Sequence, residues 1–215
     1  MLFRSQEIWN IPHKELLTFS NYNFHYKTRP LGRGGGVGIL IHNSIKCKLI
    51  SDLSTFIPNV FQSITIEFVS NNTKTSCTSV YRSPNPPKNM TVSEQMRHFN
   101  QYLDVLLTNL SSKYSNSYVM LDSNIDCISK SKTLQQSIYF DTITENGFIQ
   151  IIQKATRIQG KSATLIDHIL TNNSSDNFDT GVIVSDISDH FMTFIATRDR
   201  KSTRLNSSHL VISYA

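Results

Sequence analysis

Polar side chains follow short apolar segments at four places in the sequence, and their types are those used in metal binding and proton transfer. The four places are residues 81–82, 122–126, 167–168 and 185–190. In α/β sheets, the strand ends are where ligands and catalytic groups collect. Carboxylate and amide oxygens are ligands that Mg²⁺ prefers, and an imidazole titrates near neutral pH. These residues are therefore the candidates for an active site.

Each of the four places also has a structural explanation when it is taken alone. An Asp that follows a strand often forms a turn or caps a helix, and a single histidine such as His168 often packs or faces solvent. The set as a whole is harder to explain in this way, because it joins several carboxylates, an Asn and a His. That combination joins metal ligands with a group that transfers protons, so it favours a catalytic role over a structural one.

Five motifs in a fixed order make the sequence resemble a known superfamily. They are Gln6-Glu7, Tyr81-Arg82-Ser83-Pro84-Asn85, Leu121-Asp122-Ser123-Asn124, the segment 162–167, and Ser188-Asp189-His190. This order resembles the endonuclease/exonuclease/phosphatase superfamily, and more closely the apurinic-type endonuclease domain of non-LTR retrotransposons. Residues 34–41, 147–150, 156–158 and 164–172 also resemble that branch. The resemblance covers residues 5–197, nearly the whole chain before its last segment.

The resemblance implies a fold, a reaction and partners. The fold is an α/β class protein, a four-layer α/β/β/α sandwich of the DNase-like type, with the site at one edge of two facing sheets. The reaction is hydrolysis of a DNA phosphodiester with Mg²⁺, or alternatively Mn²⁺, leaving a nick with a 3′ hydroxyl. In such elements the nick primes reverse transcription by a separate domain of the parent polyprotein, which this chain lacks. The parent would act in the nucleus.

The resemblance also implies roles for single residues. Metal ligation is implied for Glu7 and Asp189, and nucleic-acid contacts for Arg82, Asn85, Thr156 and Ser188. Catalytic roles are implied for Tyr81, Asp122, Asn124, Asp167 and His190. Asp122 would orient or deprotonate the attacking water, while Asn124 and Tyr81 would hydrogen-bond the phosphate. His190, held by Asp167, would stabilise charge on the scissile phosphate.

The sequence departs from the family pattern at two places. The family usually has Gly-Asp-Phe-Asn where this chain has Leu121-Asp122-Ser123-Asn124. We expect Leu121 to crowd the site and Ser123 to leave core volume unfilled. The family also has a strand with a metal- or phosphate-binding Asn before the Glu, whereas Glu7 is almost the first residue. The fold is therefore expected to lack its first strand, as in an N-terminally truncated fragment.

Composition predicts one intracellular globular domain. The chain has 215 residues, of which 39% are hydrophobic and 17% charged, which excludes a disordered tail protein. No apolar run reaches the roughly 20 residues of a membrane-spanning helix, and no membrane partner is expected. No targeting signal is visible, and the three cysteines do not form a disulfide framework, so a reducing compartment is expected.

Residues 199–215 match the translation of a sequencing-library adapter, and they are left out of the predicted fold. The predicted domain is therefore 1–198, partial at its N-terminus. The excluded segment holds three basic residues and one acidic residue, so the net charge of +5 falls to +3 without it. A charge this small permits nucleic-acid binding but does not argue for it.

Hydrophobic periodicity predicts strands with two helices between them. Strands are expected at 37–42, 45–50, 61–69, 75–81, 118–121, 148–152, 163–170, 181–184 and 191–196, the first two as a hairpin. One helix is expected after Thr91, whose spacing to Glu94 fits a capping box. Another is expected at 134–146, followed by Gly147 as its C′ residue.

Other interpretations remain beside the endonuclease. Residues 32–38 are rich in glycine but lack the dinucleotide-binding spacing and precede a strand, so a turn is favoured. The cysteines lack zinc-site spacing. There are two alternatives to the endonuclease. One is a non-catalytic retrotransposon remnant, and the other is a phosphoesterase of the same superfamily that acts on a non-DNA substrate.

Overall fold

The computed structural model of the protein describes residues 2–6, 19–28, 35–173, 178–185, 188–198 and 208–214. Within them the helices are α1 (Val92–Lys113) and α2 (Leu134–Glu145), with a 3-10 turn at Ser51–Leu53. The strands are β1 (Leu2–Gln6), β2 (Tyr22–Lys27), β3 (Val37–His42), β4 (Cys47–Leu49), β5 (Phe56–Ile57), β6 (Phe61–Ser70), β7 (Thr73–Tyr81), β8 (Asn116–Asp122), β9 (Ile149–Gln150), β10 (Arg157–Gln159), β11 (Ser162–Thr164), β12 (Asp167–Thr171), β13 (Phe178–Ile183), β14 (Met192–Arg198) and β15 (Ser208–Tyr214).

The described strands form two large sheets and one hairpin. The first sheet has the order β13-β14-β15-β1-β3-β2, and the second has the order β4-β6-β7-β8-β12-β9, with β5 beside β6. The hairpin is β10–β11. This mixed arrangement of sheets and helices confirms the predicted α/β class and its DNase-like type. No helix in the described part of the chain is long and apolar enough to cross a membrane.

Alternation along β8 separates two hydrophobic cores. Val119 and Leu121 pack with Leu103 of α1 in a core between the second sheet and the helices. Tyr118 and Met120 point the other way, into a core that joins the two sheets. Because successive strand residues face opposite sides, Asp122 continues the face of Met120 toward the space between the sheets.

Both helices begin as the sequence predicts. The Thr91 side chain accepts a hydrogen bond from the Glu94 backbone, and Glu94 bonds back to the Thr91 backbone, which completes a capping box. Thr133 and Gln136 form the same arrangement at the start of α2. Gly147 follows α2 with a φ of 75°, a left-handed conformation that suits glycine.

Two predicted strand assignments are wrong in detail. The expected hairpin between 37–42 and 45–50 does not form, because β3 pairs with β1 and β2 while β4 pairs with β6 in the other sheet. Both edges of β3 are already used, so β4 has no free edge there. The expected strand at 163–170 is two strands: β11 belongs to the hairpin and β12 to the second sheet.

The last described segment, β15, adds a strand that was not predicted from the sequence. It lies between β1 and β14, parallel to β1 and antiparallel to β14. The backbone of residues 208–214 therefore closes a gap in the first sheet that would otherwise leave two facing strand edges unpaired.

Deleting residues 199–215 tests the contribution of this strand. We expect the shortened chain, residues 1–198, to melt at a lower temperature than the full chain, because β1 and β14 each lose a hydrogen-bonded neighbour. Circular dichroism melting of both proteins measures the difference. Equal melting temperatures would show that residues 199–215 add nothing to the fold.

Candidate active site

Three of the predicted catalytic side chains lie side by side at one end of the second sheet. Tyr81 of β7 pairs with Asp122 of β8, and Asp122 pairs with Asp167 of β12. Residues paired across neighbouring strands project from the same face. Met120 and Ile169, two residues along on the same face, belong to the core between the sheets. The row Tyr81–Asp122–Asp167 therefore faces the intersheet space at its end.

The first sheet supplies the fourth residue. His190 lies just before β14, and its Nδ1 is 3.0 Å from Oδ2 of Asp167. The Asp167 side chain is 2% exposed and the His190 side chain 14% exposed, so the pair is largely shielded from water. The two sheets thus meet at an Asp–His pair, as the resemblance implied.

The environment of His190 favours its cationic form. Burial lowers the pKa of the imidazole, but the hydrogen bond and negative charge of Asp167 raise it, with further help from Asp122 and Asp189. The carboxylates outweigh the effect of burial, so the pKa of His190 lies above its usual 6.5. A cation held in this way can stabilise negative charge on a bound phosphate.

Thr156 holds both halves of the Asp–His pair in place. Its Oγ1 accepts hydrogen bonds from the backbone N–H groups of Ile166 (3.1 Å) and Asp167 (3.0 Å). Its carbonyl accepts from the N–H of Phe191, next to His190. The side chain is fully buried. The structure thus gives Thr156 a positioning role within the protein, and its predicted nucleic-acid contact stays a prediction.

Arg157, for which the sequence predicted no role of its own, binds a predicted metal ligand. Its guanidinium contacts Oδ2 of Asp189 through Nη2 at 2.7 Å and Nε at 2.9 Å. Burial of Asp189 opposes ionisation, but the hydrogen bond and charge of Arg157 dominate and lower the pKa of that carboxyl. Arg157 also forms an isolated β-bridge with His190. The sequence signal that could have identified Arg157 is its positive charge, which complements the negative charge of Asp189 in the Ser188-Asp189-His190 motif.

Arg82 is buried beneath the loop that follows Asp122. Its Nε and Nη2 donate to the carbonyls of Ser123 (2.5 Å) and Asn124 (3.0 Å), and the residue is 5% exposed. Its Nη1 donates to Oε1 of Gln95 at 2.8 Å. The nucleic-acid contact predicted for Arg82 conflicts with this placement, because the guanidinium is directed into the protein.

Gln95 completes the support beneath the loop. While its Oε1 accepts from Arg82, its Nε2 donates to the carbonyls of Asn59, Ser83 and Asn85. Burial lowers the pKa of Arg82 to about 10, although the negative charge of Asp122 opposes that shift. The guanidinium therefore stays cationic at neutral pH and holds the loop by charge-assisted hydrogen bonds.

Asn124 has a backbone that few other residues adopt. Its φ is 51°, in the left-handed region, where asparagine is favoured over most residues other than glycine. Its Nδ2 donates to the Arg82 carbonyl at 2.9 Å, in return for the bond from Arg82 to the Asn124 carbonyl. The partly exposed amide is thus fixed beside Asp122.

The two departures at 121–124 have local explanations. Leu121 does not crowd the site, because it points away from Asp122 into the core beneath the helices. The Ser123 hydroxyl bonds to the Ile166 carbonyl and to Nδ1 of His168. The Tyr139 hydroxyl also bonds that nitrogen. Ser123, His168 and Tyr139 thus form a polar network behind Asp122.

The other predicted residues are distributed around this centre. Asn85 is exposed, with its carbonyl bound to Gln95. Ser188 is partly buried, and its hydroxyl accepts from the backbone N–H of His190. Glu7 lies outside the described residues. The structure therefore assembles Tyr81, Asp122, Asp167 and His190 directly, and leaves Asn85 and Ser188 at the margin.

The central residues fit a divalent cation. One ligand atom from each of Asp122, Asp167 and His190 lies within 4.8 Å of the others. Oδ1 of Asp167 is buried and has no hydrogen-bond partner among the described residues. Buried carboxylate oxygens are normally satisfied, and hard oxygen ligands are those that Mg²⁺ prefers.

The chain belongs to the Endonuclease/Exonuclease/phosphatase family, which it matches over residues 6–190. The predicted resemblance is thereby confirmed. No curated protein matches the sequence significantly.

Solved structures share the fold. The endonuclease domain of TRAS1, a telomere-specific non-LTR retrotransposon, is 15% identical, with a TM-score of 0.64 over 82% of this chain and 79% of that one. The D. rerio TDP2 complexed with a single strand DNA product is 13% identical, with a TM-score of 0.57 over 88% and 82%. The human Nocturnin catalytic domain is 12% identical, with a TM-score of 0.57 over 90% and 78%.

Replacing Asp167 tests the cause of the raised pKa of His190. Asp167→Asn removes the carboxylate but leaves the burial, so we expect the imidazole to lose its proton at a lower pH. NMR of the His190 ring in metal-free protein measures the titration. Asp52→Asn, at an exposed carboxylate, serves as the control. An unchanged titration in Asp167→Asn would contradict the assignment.

Replacing Arg82 tests the support beneath the loop. Arg82→Met removes a buried cation that bonds two carbonyls and Gln95, and we expect it to lower the free energy of unfolding by about 2–4 kcal/mol. Urea denaturation measures this change. The exposed Arg97→Met is the matched control, expected to change stability by less than about 0.5 kcal/mol. Equal changes in the free energy of unfolding for Arg82→Met and Arg97→Met would contradict the supporting role of Arg82.

Proposed function

We propose that this protein is a metal-dependent DNA endonuclease that nicks target DNA for a retrotransposon, whose reverse transcriptase lies elsewhere in the parent protein. The observation that carries the proposal is the convergence of Asp122, Asp167 and His190 within 4.8 Å at the end of the intersheet space. Membership of the Endonuclease/Exonuclease/phosphatase family and the likeness to the TRAS1 endonuclease domain support it. Such a parent would act in the nucleus.

Asp122 and the Asp–His pair divide the chemistry between them. Asp122 is buried beside the pair and serves to orient and deprotonate the attacking water. His190, kept cationic by Asp167, donates a hydrogen bond to an oxygen of the scissile phosphate. Its positive charge opposes the negative charge that grows on the phosphorus oxygens as the water oxygen bonds to phosphorus. The bond from phosphorus to the 3′ oxygen breaks in the same step, and the leaving 3′ oxygen takes up a proton from water.

Asn124 and Tyr81 bind the phosphate from the other side. Only one hydrogen of the Asn124 amide is needed for the Arg82 carbonyl, so the second is available to a phosphate oxygen. The Tyr81 hydroxyl donates from the same row as Asp122. The buried Arg82 fixes this loop before substrate binds, so little reorganisation is needed during the reaction.

Asp122 and Asp167 are the described residues that would hold the cation. When bound, Mg²⁺ supplies Lewis-acid stabilisation of phosphate charge and lowers the pKa of a bound water. Glu7 and Asp189 are proposed as further ligands from the family resemblance. Because Arg157 binds the Asp189 carboxylate, a cation at Asp189 competes with that ion pair.

The surroundings of the site favour a polymeric substrate over a small phosphoester. The hairpin β10–β11 leads directly from Thr156 and Arg157 and presents the exposed side chains of Ile158 and Lys161. A lysine in the turn of this hairpin can contact a phosphate that does not react, which a monoester lacks. DNA is therefore the substrate that we propose.

Nicking of supercoiled plasmid tests the function. We expect the full chain to nick DNA with Mg²⁺ or Mn²⁺ but not with EDTA, and Asp122→Asn or His190→Ala to lower the rate by about 10²–10⁴-fold. Circular dichroism checks that each variant is folded. Gln101→Glu on the outer face of α1 is the control expected to retain activity.

Two results would overturn the proposal. A folded wild-type protein that does not nick DNA with either metal would be a non-catalytic remnant. Hydrolysis of a soluble phosphoester such as p-nitrophenyl phosphate, without DNA nicking, would indicate a phosphoesterase with another substrate.

A further inference from the structure

A fourth polar side chain continues the row of site residues on its far side. Gln62 of β6 pairs with Tyr81 of β7, so the row across the second sheet is Gln62–Tyr81–Asp122–Asp167. Ile64, two residues along β6, belongs to the core between the sheets, which places Gln62 on the same face as the rest of the row. None of the motifs in the sequence includes Gln62.

The Gln62 amide is held in one orientation. Its Oε1 accepts a hydrogen bond from the backbone N–H of Gly36 at 2.6 Å, just before β3 of the opposite sheet. Since the oxygen is the acceptor in this bond, the nitrogen Nε2 is fixed as a donor directed elsewhere. Nε2 is buried and has no hydrogen-bond partner among the described residues, and the residue is 1% exposed. A fixed, buried donor without a partner is one that a ligand can satisfy.

We propose that Nε2 of Gln62 donates a hydrogen bond to a phosphate oxygen of the DNA strand that flanks the scissile phosphate. The inference rests on the proposed endonuclease function. An amide nitrogen only donates, so its ligand must be an acceptor, and phosphate oxygens are the charged acceptors repeated along the strand.

The distance across the sheet determines which phosphate Gln62 reaches. Two strand spacings separate Gln62 from Asp122, roughly 10 Å at about 4.8 Å each. That is beyond hydrogen-bond reach of the phosphate that Asp122 and His190 address. Gln62 therefore binds and positions the strand without touching the reacting atoms, and its loss affects KM more than kcat.

Two substitutions separate this role from a purely structural one. Gln62→Glu keeps the acceptor for Gly36 but replaces the donor with an acid, and Gln62→Met removes both. We expect each to raise KM for plasmid nicking about tenfold with less than about a twofold change in kcat. Gln101→Glu adds the same charge on the outer helix α1 and is expected to leave KM unchanged. Circular dichroism verifies folding.

A modified substrate identifies the acceptor. Duplex oligonucleotides carry a single neutral methylphosphonate at each position flanking the cleaved bond. We expect one position to raise KM for the wild type but not for Gln62→Met, because the lost donor and the lost acceptor belong to the same hydrogen bond.

The outcomes separate the two proposals. If the wild type nicks DNA and Gln62→Glu and Gln62→Met match Gln101→Glu in KM, Gln62 is structural and this inference is overturned while the endonuclease function stands. If both variants raise KM but every methylphosphonate affects wild type and Gln62→Met equally, the ligand is not a phosphate, and the inference is again wrong. If the folded wild type neither nicks duplex DNA nor binds it in a fluorescence anisotropy assay, the proposed endonuclease function is itself wrong, and the inference about Gln62 falls with it.

Discussion

The register in which β8 pairs with β7 and β12 determines the rest of the site. It places Asp122 between Tyr81 and Asp167 and turns all three toward the space between the sheets. A shift of one residue would direct Asp122 toward the helices and bring Leu121 out of its core. The register is fixed because Val119 and Leu121 fill the helix-side core while Met120 fills the intersheet core. Hydrophobic packing on two faces thus sets the geometry of the acidic groups.

The same packing brings carboxylates together, and two cations offset their repulsion. Asp122 and Asp167 are both buried and adjacent. Arg82 lies behind the loop after Asp122, and His190 caps Asp167 from the opposite sheet. Burial alone would lower the pKa of the His190 imidazole, and the Asp167 carboxylate from the other sheet raises it. The cationic form of His190 therefore depends on a residue of a different element.

Much of this arrangement could be predicted from the sequence, and the remainder has physical reasons. Motif order and strand alternation located Asp122, Asp167 and His190, because residue type and position at a strand end restrict their roles. Arg82 and Thr156 were expected to contact nucleic acid, but in the structure their side chains bond to backbone groups of the protein. A sequence motif does not tell whether an arginine points outward or supports the loop behind it. The pairing of β3 and β4 with different sheets depends on contacts distant in sequence, which local patterns do not report.

The two sides of the site are held by bonds of different kinds. The Asn124 side rests on a buried guanidinium, whereas the Asp189 side is held partly by an ion pair with a half-exposed carboxylate. Dissolved salt screens exposed charges far more than buried ones. Rising ionic strength therefore weakens the Arg157–Asp189 ion pair more than the buried hydrogen bonds of Arg82. The salt content of the solution thus changes how firmly Arg157 holds the Asp189 carboxylate, whereas the support beneath Asn124 is insulated from it.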